Sequence, residues 1–205
     1  MRKVRERIME TTLQQVTGVV LAGGRGARMG GEDKGLLMLQ GRLMIEWILD
    51  RFAPQVTTIV ISANRNNDQY AALGYPIVSD STVDFRGPLA GISAALSRTD
   101  TPWIVTVPCD SPLIPLDLVT RLQVQVVEQG ANLGVAHDGQ RLQPVFMFVH
   151  RDLLVDLEGY LEGGDRKIDR WLERHPFQKV DFSDSQEMFV NVNTPVDLEA
   201  VGACL

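Results

Sequence analysis

Residues Leu21 to Gly35, LAGGRGARMGGEDKG, join an apolar run to an amphipathic one. The run before them, Val16 to Leu21, has the character of a buried strand, and Leu43 to Phe52 after them carries apolar residues at helical spacing. Gly23, Gly24, Gly26, Gly30 and Gly31 permit positive φ and a close approach of backbone to ligand. Arg25, Arg28 and Lys34 add fixed positive charge among the exposed N–H groups. A strand, a glycine-rich basic loop and a helix make an anion site, and the expected anion is a polyphosphate.

Two familiar phosphate loops fail on spacing. A Walker A loop needs Ser or Thr after Gly-Lys, whereas Lys34 stands between Asp33 and Gly35. A dinucleotide fingerprint needs a small residue where Met29 follows Gly24 and Gly26. A plain surface loop could also be rich in glycine, but the placed Arg and Lys side chains favour the anion site.

At 205 residues the chain suits one domain with its own core, and 44% hydrophobic with 22% charged residues is ordinary globular composition. The expected division is an extension over residues 1–15 and a single domain over 16–205. A net charge of −6 argues against a nucleic-acid partner, which needs a broad basic face, so the anion site must be local. Cys109 and Cys204 lack metal spacing and are too few for a disulfide framework, which suits a reducing cytoplasm. No apolar run is long enough to span a membrane. Met1 to Gln15 carries Arg2, Lys3, Arg5 and Arg7 without a following apolar segment, so it reads as a solvated extension and not a secretory signal.

Beyond the loop, strands are expected at Thr58 to Ser62 and Tyr75 to Val78 with a short helix at Asn67 to Leu73 between them. A helix through Leu96 and a strand at Trp103 to Val107 follow. Alternating strands and helices predict βαβ units and a largely parallel sheet. Ligands of such sheets bind beyond the carboxyl ends of the strands, which places Leu21 to Lys34, Asn64 and Asp80 on one edge. After the helix at Asp117 to Glu128, the strands Leu133 to Ala136 and Pro144 to Val149 are separated only by a short turn and should pair antiparallel. Helices over Arg151 to Leu161 and from Asp165, as cap, to Arg174 precede an edge strand at Gln178 to Phe182.

Four places carry chemistry. Gly87 and Gly91, in GPLAG, let a helix start pack closely against either a strand or a ligand. Asp110 lies in PCDSP, whose prolines stiffen the turn; it can hold Mg²⁺, which commonly takes one or two carboxylates plus water and phosphates, or it can cap the helix that starts near Pro115. Arg166, Lys167, Arg170 and Arg174 form a second basic patch, while His137 is expected to be a solvated turn residue. In NVNTP, Asn191 and Asn193 should share one side with Val192 buried, ahead of a helix capped by Thr194. Their amides can hold a phosphate or a metal-bound water, or only satisfy loop backbone.

LAGGRGARMGGEDKG, GPLAG, PCDSP and NVNTP, in this order, resemble molybdenum cofactor guanylyltransferase, the MobA family of nucleotidyltransferases, over Val16 to about Leu198. The resemblance implies that residues 16–205 are a single nucleotidyltransferase domain of three-layer α/β, Rossmann-like fold with a mostly parallel, mixed sheet, with GTP and Mg²⁺ as donor and molybdopterin or Mo-molybdopterin as acceptor. It further implies that Leu21, Ala22, Gly23 and Gly24 contact the nucleotide, Lys34 its phosphates, Asn64 and Asp80 the nucleoside, and Asp110 the metal. Arg28 fits a phosphate role beside Lys34, and Asn191, Asn193 and Arg166 fit the reaction centre or acceptor side. Molybdenum-insertion proteins, chaperones and apo-molybdoenzymes are the implied protein partners. The competing readings are a molybdopterin cytidylyltransferase or other phosphate-acceptor nucleotidyltransferase, and a non-catalytic GTP-binding carrier.

Overall fold

The computed structural model describes residues 16–22, 32–80 and 87–205. Val16–Leu21 (β1) lies at its centre, paired in parallel with Thr58–Ser62 (β4) on one edge and Trp103–Pro108 (β6) on the other. Ile77–Val78 (β5) extends the sheet beyond β4. On the far side Leu142–His150 (β8) runs antiparallel to both β6 and Leu133–His137 (β7), and Gln178–Asp181 (β9) pairs in parallel with β7. The order is β5-β4-β1-β6-β8-β7-β9. The expected break in parallel order therefore falls at β8, because the few residues between β7 and β8 are too short for a crossover. The extension at residues 1–15 lies outside the described residues.

Period-two alternation divides the apolar residues between two faces. Val16, Val20, Val105, Val107, Phe146 and Phe148 meet the helices Met44–Phe52 (α1) and Leu118–Glu128 (α4), and Tyr70 of the short helix Asn67–Ala71 (α2). Val19, Ile104, Met147 and Val149 meet Pro88–Arg98 (α3), Leu154–Glu162 (α5) and Ile168–Leu172 (α6) on the other face. The result is a three-layer α/β sandwich, as the alternation of elements required.

Several boundaries move. The second helix ends at Ala71 and not Leu73, and the third strand of the main sheet is only Ile77–Val78. Arg151–Leu153 is a 3₁₀ turn before α5. Asp165 does not cap a helix reaching Arg174: its carboxylate accepts from the Arg166 and Lys167 amides in the preceding turn, and α6 starts at Ile168 and ends at Leu172. His137 is not solvated but 9% exposed, since it ends β7 and its backbone carbonyl accepts from the Phe182 amide.

A third, smaller core forms away from the sheet. Leu39 of the hairpin Met38–Leu39 (β2) and Arg42–Leu43 (β3) packs with Met44, Leu113, Val192 and Val201 of Pro195–Gly202 (α7). Phe189 secures the approach to this segment, sitting edge-on to Phe146 at 4.9 Å and to Phe182 at 5.3 Å between ring centroids. Phe189→Ala should cost about 3–5 kcal/mol through transfer and cavity terms. Thermal unfolding checks this, with a fall of about 2–4 °C expected for each kcal/mol at this chain length.

Candidate active site

The sheet reverses its order of addition at β1: the chain builds β4 and β5 to one side and then crosses to β6 on the other. That crossing runs through α3 on the face opposite α1, and ligands of such sheets bind beyond the carboxyl ends of the strands at a reversal of this kind. Leu21 and Ala22 stand at that point. The Ala22 amide donates to the Ser62 carbonyl at 2.8 Å and the Cys109 amide to the Leu21 carbonyl at 3.1 Å, so both neighbours fix where the glycine-rich loop departs. Gly23, Gly24, Arg25 and Arg28 lie outside the described residues.

Lys34 begins the 3₁₀ turn Lys34–Leu36. Its Nζ donates to Asp110 Oδ2 at 2.8 Å and to Asn193 Oδ1 at 2.5 Å, partners 76 and 159 residues away in sequence. Three separate motifs thus converge on one ammonium group. The Lys34 and Asp110 side chains are 19% and 15% exposed, which leaves the pair partly desolvated yet within reach of a ligand.

Asp110 does not cap a helix. α4 begins at Leu118 behind Asp117, and the Asp110 carboxylate faces Lys34. The connecting loop is pinned from α1 and the turn after it: Arg51 Nε donates to the Ile114 carbonyl, and the Gln55 amide bonds both the Pro115 carbonyl and the Val119 N–H. The NVNTP segment is tied to the same place by the Val192 amide, which donates to the Asp110 carbonyl at 2.8 Å. Val192 is buried, as expected. Asn191 Oδ1 accepts from the Ser111 hydroxyl, and Asn193 Oδ1 accepts from Lys34, so neither amide merely satisfies its own loop. Thr194 caps α7, and the Asp197 carboxylate in turn accepts from the Asn193 and Thr194 amides. Those bonds, that from Asn193 first, hold the Asp197 carboxyl below the usual carboxylate range.

Asn64 and Asp80, at the ends of β4 and β5, bond each other reciprocally: Asn64 Nδ2 donates to Asp80 Oδ2 at 2.8 Å, and the Asp80 amide donates to Asn64 Oδ1 at 2.9 Å. Burial raises the Asp80 carboxyl pKa, partly countered by the Asn64 bond. Among the described residues, Asp80 Oδ1 has no hydrogen-bond partner. Gly87 has φ of +128°, a conformation that favours glycine. Gly91 packs against strands: a Cβ there would clash with the Ser62 hydroxyl and stand 3.0 Å from Leu21 Cδ2.

The basic patch is largely engaged with the chain's own carboxylates. Arg170 pairs with Asp165 at 3.0 Å and Arg174 with Asp156 at 2.8 Å, while Arg166 donates to the Gly164 carbonyl. No hydrogen bond joins Arg166 to the Lys34 cluster among those described. His137 accepts from the Gly139 amide through Nδ1 and helps close the β7–β8 turn. Burial, followed by the nearby Asp110 charge, pushes the Cys109 thiol far up, which unsuits it as a nucleophile.

Sequence reading passed over Ser111, although it lies inside PCDSP, and it passed over Asp33, Asn66 and Tyr70. The Tyr70 hydroxyl and the Asn66 amide donate to the Asp33 carboxylate, one residue before Lys34. The adjacency of Asp33 to Lys34 was the available signal; Tyr70 had only the look of a core residue.

The donor set suits a hard, sparsely ligated cation. Among the described residues no group of three or more His, Cys, Asp or Glu could enclose a metal. Asp110, with carboxamides nearby, matches the Mg²⁺ habit of one carboxylate completed by water and phosphate oxygens. It does not match the nitrogen- and sulfur-rich sets of structural zinc.

Residues 18–180 match the model of the MobA-like NTP transferase domain. The molybdenum cofactor guanylyltransferase of Shewanella halifaxensis is 44% identical over 191 residues, covering 93% of this chain and 96% of its own. That of Shewanella woodyi is 47% identical over 181 residues, covering 88% and 92%. Among solved structures, molybdopterin-guanine dinucleotide biosynthesis protein A from Archaeoglobus fulgidus superposes with a TM-score of 0.77 at 25% identity, covering 92% of this chain and 97% of that one. A CMP:2-keto-3-deoxy-manno-octonic acid synthetase complexed with CTP shares the fold at a TM-score of 0.70 and 15% identity, covering 93% and 98%. With its switch-point crevice and its four motifs gathered around Lys34 and β1, the chain belongs to the MobA-like NTP transferase family, among the molybdenum cofactor guanylyltransferases.

Proposed function

We propose that this enzyme transfers GMP from GTP to the terminal phosphate of molybdopterin or Mo-molybdopterin, releasing pyrophosphate and forming the guanine dinucleotide. The observation that carries the residue assignment is the meeting of Asp110 and Asn193 on the Lys34 ammonium group. Names of relatives similar over nearly the whole chain favour GTP over CTP and a transferase over a passive carrier.

An oxygen of the acceptor phosphate attacks the α-phosphorus of GTP in line. A new P–O bond forms as the bond to the β-phosphate oxygen breaks, and pyrophosphate leaves with the electron pair. A phosphate monoester is already anionic near neutral pH, so no protein nucleophile or strong base is needed. The obstacle is the repulsion of two polyanions. Lys34 and Arg28 offset it with fixed positive charge, the amides of Gly23 and Gly24 would supply donors, and Leu21 and Ala22 would line the nucleotide at the strand end, the Ala22 amide being engaged with Ser62. Mg²⁺, held by Asp110, would add charge neutralisation on the phosphates. With phosphate oxygens as its partners, Lys34 would leave the Asp110 carboxylate to hold the cation.

Asn64 and Asp80 take the nucleoside, as a pair held together at the ends of β4 and β5. Asn191 and Asn193 lie on the acceptor side of Lys34, and Arg166 would meet the acceptor's own anionic groups. Insertion proteins, chaperones and apo-molybdoenzymes are the partners that would receive the product. A cytoplasmic setting agrees with the absence, among the described residues, of any helix long and apolar enough to cross a membrane.

Lys34→Ala should cost about 2–4 kcal/mol of transition-state stabilisation, as loss of an oxyanion donor does. Comparing kcat/KM for both substrates with the parent checks this; equal values would remove Lys34 from the phosphates. Asp110→Ala should lose Mg²⁺-dependent GTP binding as well as turnover, and calorimetric titration of GTP with and without Mg²⁺ separates the two. Asp80→Ala should raise KM for GTP about tenfold with kcat retained, the pattern of a lost ground-state contact of about 1.4 kcal/mol. Assayed with molybdopterin and Mg²⁺, the parent should release pyrophosphate with GTP and not with CTP.

A further inference from the structure

Asp33 is a carboxylate in an unexpected place. Its side chain is 4% exposed, although the next residue carries the ammonium group of the site. Oδ1 accepts from the Tyr70 hydroxyl at 2.5 Å, Oδ2 accepts from the Asn66 amide at 3.0 Å, and Arg65 Nε lies 3.4 Å from Oδ2. Arg65 also donates to the neighbouring Glu32 carbonyl. Tyr70 is fully buried, and burial above all keeps its hydroxyl protonated and therefore a donor.

The opposite side of this turn is equally confined. A Cβ on Gly35 would stand 2.6 Å from Tyr70 Oη and 3.2 Å from Cys109 Cβ. The residue after Lys34 thus packs closely against both Tyr70 and Cys109. A buried carboxylate is costly unless its partners are well placed, so pure packing would be served better by an apolar residue here. The partners are also specific in origin. Arg65, Asn66 and Tyr70 all follow β4, in the segment that begins with Asn64. Asn66 even adopts a left-handed backbone, φ 53°, which asparagine tolerates better than most residues.

We infer that Asp33, clamped by Tyr70 and Asn66, is a positioning residue that ties Lys34 to the Asn64 segment, so that the phosphate and nucleoside contacts move as one rigid frame. This rests on the phosphate role proposed for Lys34. Lysine is a flexible four-carbon stem, and fixing its backbone limits where the ammonium group can go. Misplacement by about 1 Å can cost a hundredfold in rate, so a support that touches no substrate can still govern turnover.

Tyr70→Phe removes one hydroxyl, and Asn66→Gly removes the amide while keeping the backbone conformation accessible. Each should lower GTP affinity and kcat/KM about tenfold, the scale of one hydrogen bond to a charged group. Affinity for guanosine, which has no phosphate, should stay at the parent value. In a Lys34→Ala background the same substitutions should lose less than about twofold further, because coupled residues are non-additive. Equal losses of GTP affinity in both backgrounds, or a parallel loss for guanosine, would make the clamp structural only and overturn the inference. No loss from either single substitution would also overturn it. If Lys34→Ala itself leaves both GTP affinity and kcat/KM at the parent values, the lysine's assigned role fails first, and the inference falls with it. Either clamp variant suffices if the other does not fold, as judged by its thermal transition.

Discussion

β1 is hydrogen-bonded along both edges and covered on both faces, so its carboxyl end is the direction left for function. Every later element of the site answers to this constraint. Parallel neighbours on each side bring their own carboxyl ends to the same level, which is why Ala22, Asn64, Asp80 and Asp110 share one edge although the sequence scatters them. The reversal of strand order at β1 then puts α1, which follows β1, and α3, which precedes β6, on opposite faces, the arrangement in which such sheets bind ligands at the carboxyl edge. The antiparallel β8 does not disturb this edge. It turns the later half of the chain aside, where β7 and β9 build a separate wall.

Charge is the second constraint. A chain of net charge −6 must concentrate positive charge locally to accept a polyphosphate. Lys34, in the proposed reading, would do so at a position where Asp110 and Asn193 already hold its ammonium group. The partial exposure of this pair matters: a fully buried ion pair would resist exchange, whereas a fully exposed one would be screened and poorly fixed. Most arginines of the distal patch show the contrast, since Arg170 and Arg174 stabilise the α5–α6 corner by pairing with Asp165 and Asp156.

The fold was largely legible because buried strands and amphipathic helices announce themselves by periodicity. Boundaries were less so, as at Asp165, where a carboxylate serves a turn instead of a helix cap. His137 was misjudged for a related reason. Its HDG context marks a turn correctly, yet β9 and the segment after it cover that turn, and local sequence carries no record of what will lie across it. At the site, GPLAG offered two partners for Gly91, and the nearness of Ser62 and Leu21 decides for the strands.

The sequence by itself determined the α/β class, the place where β1 ends, the capped closing helix and the family, since each depends on residue type at fixed local spacing. Tertiary structure alone decided which of the candidate groups meet. Lys34 finds Asp110 and Asn193, Asn64 pairs with Asp80, and Asp33 is gripped by Tyr70, all through separations that no local periodicity encodes. The physical reason is that side chains so far apart are brought together only by strand pairing and the two-faced burial of the sheet, which act on the chain as a whole.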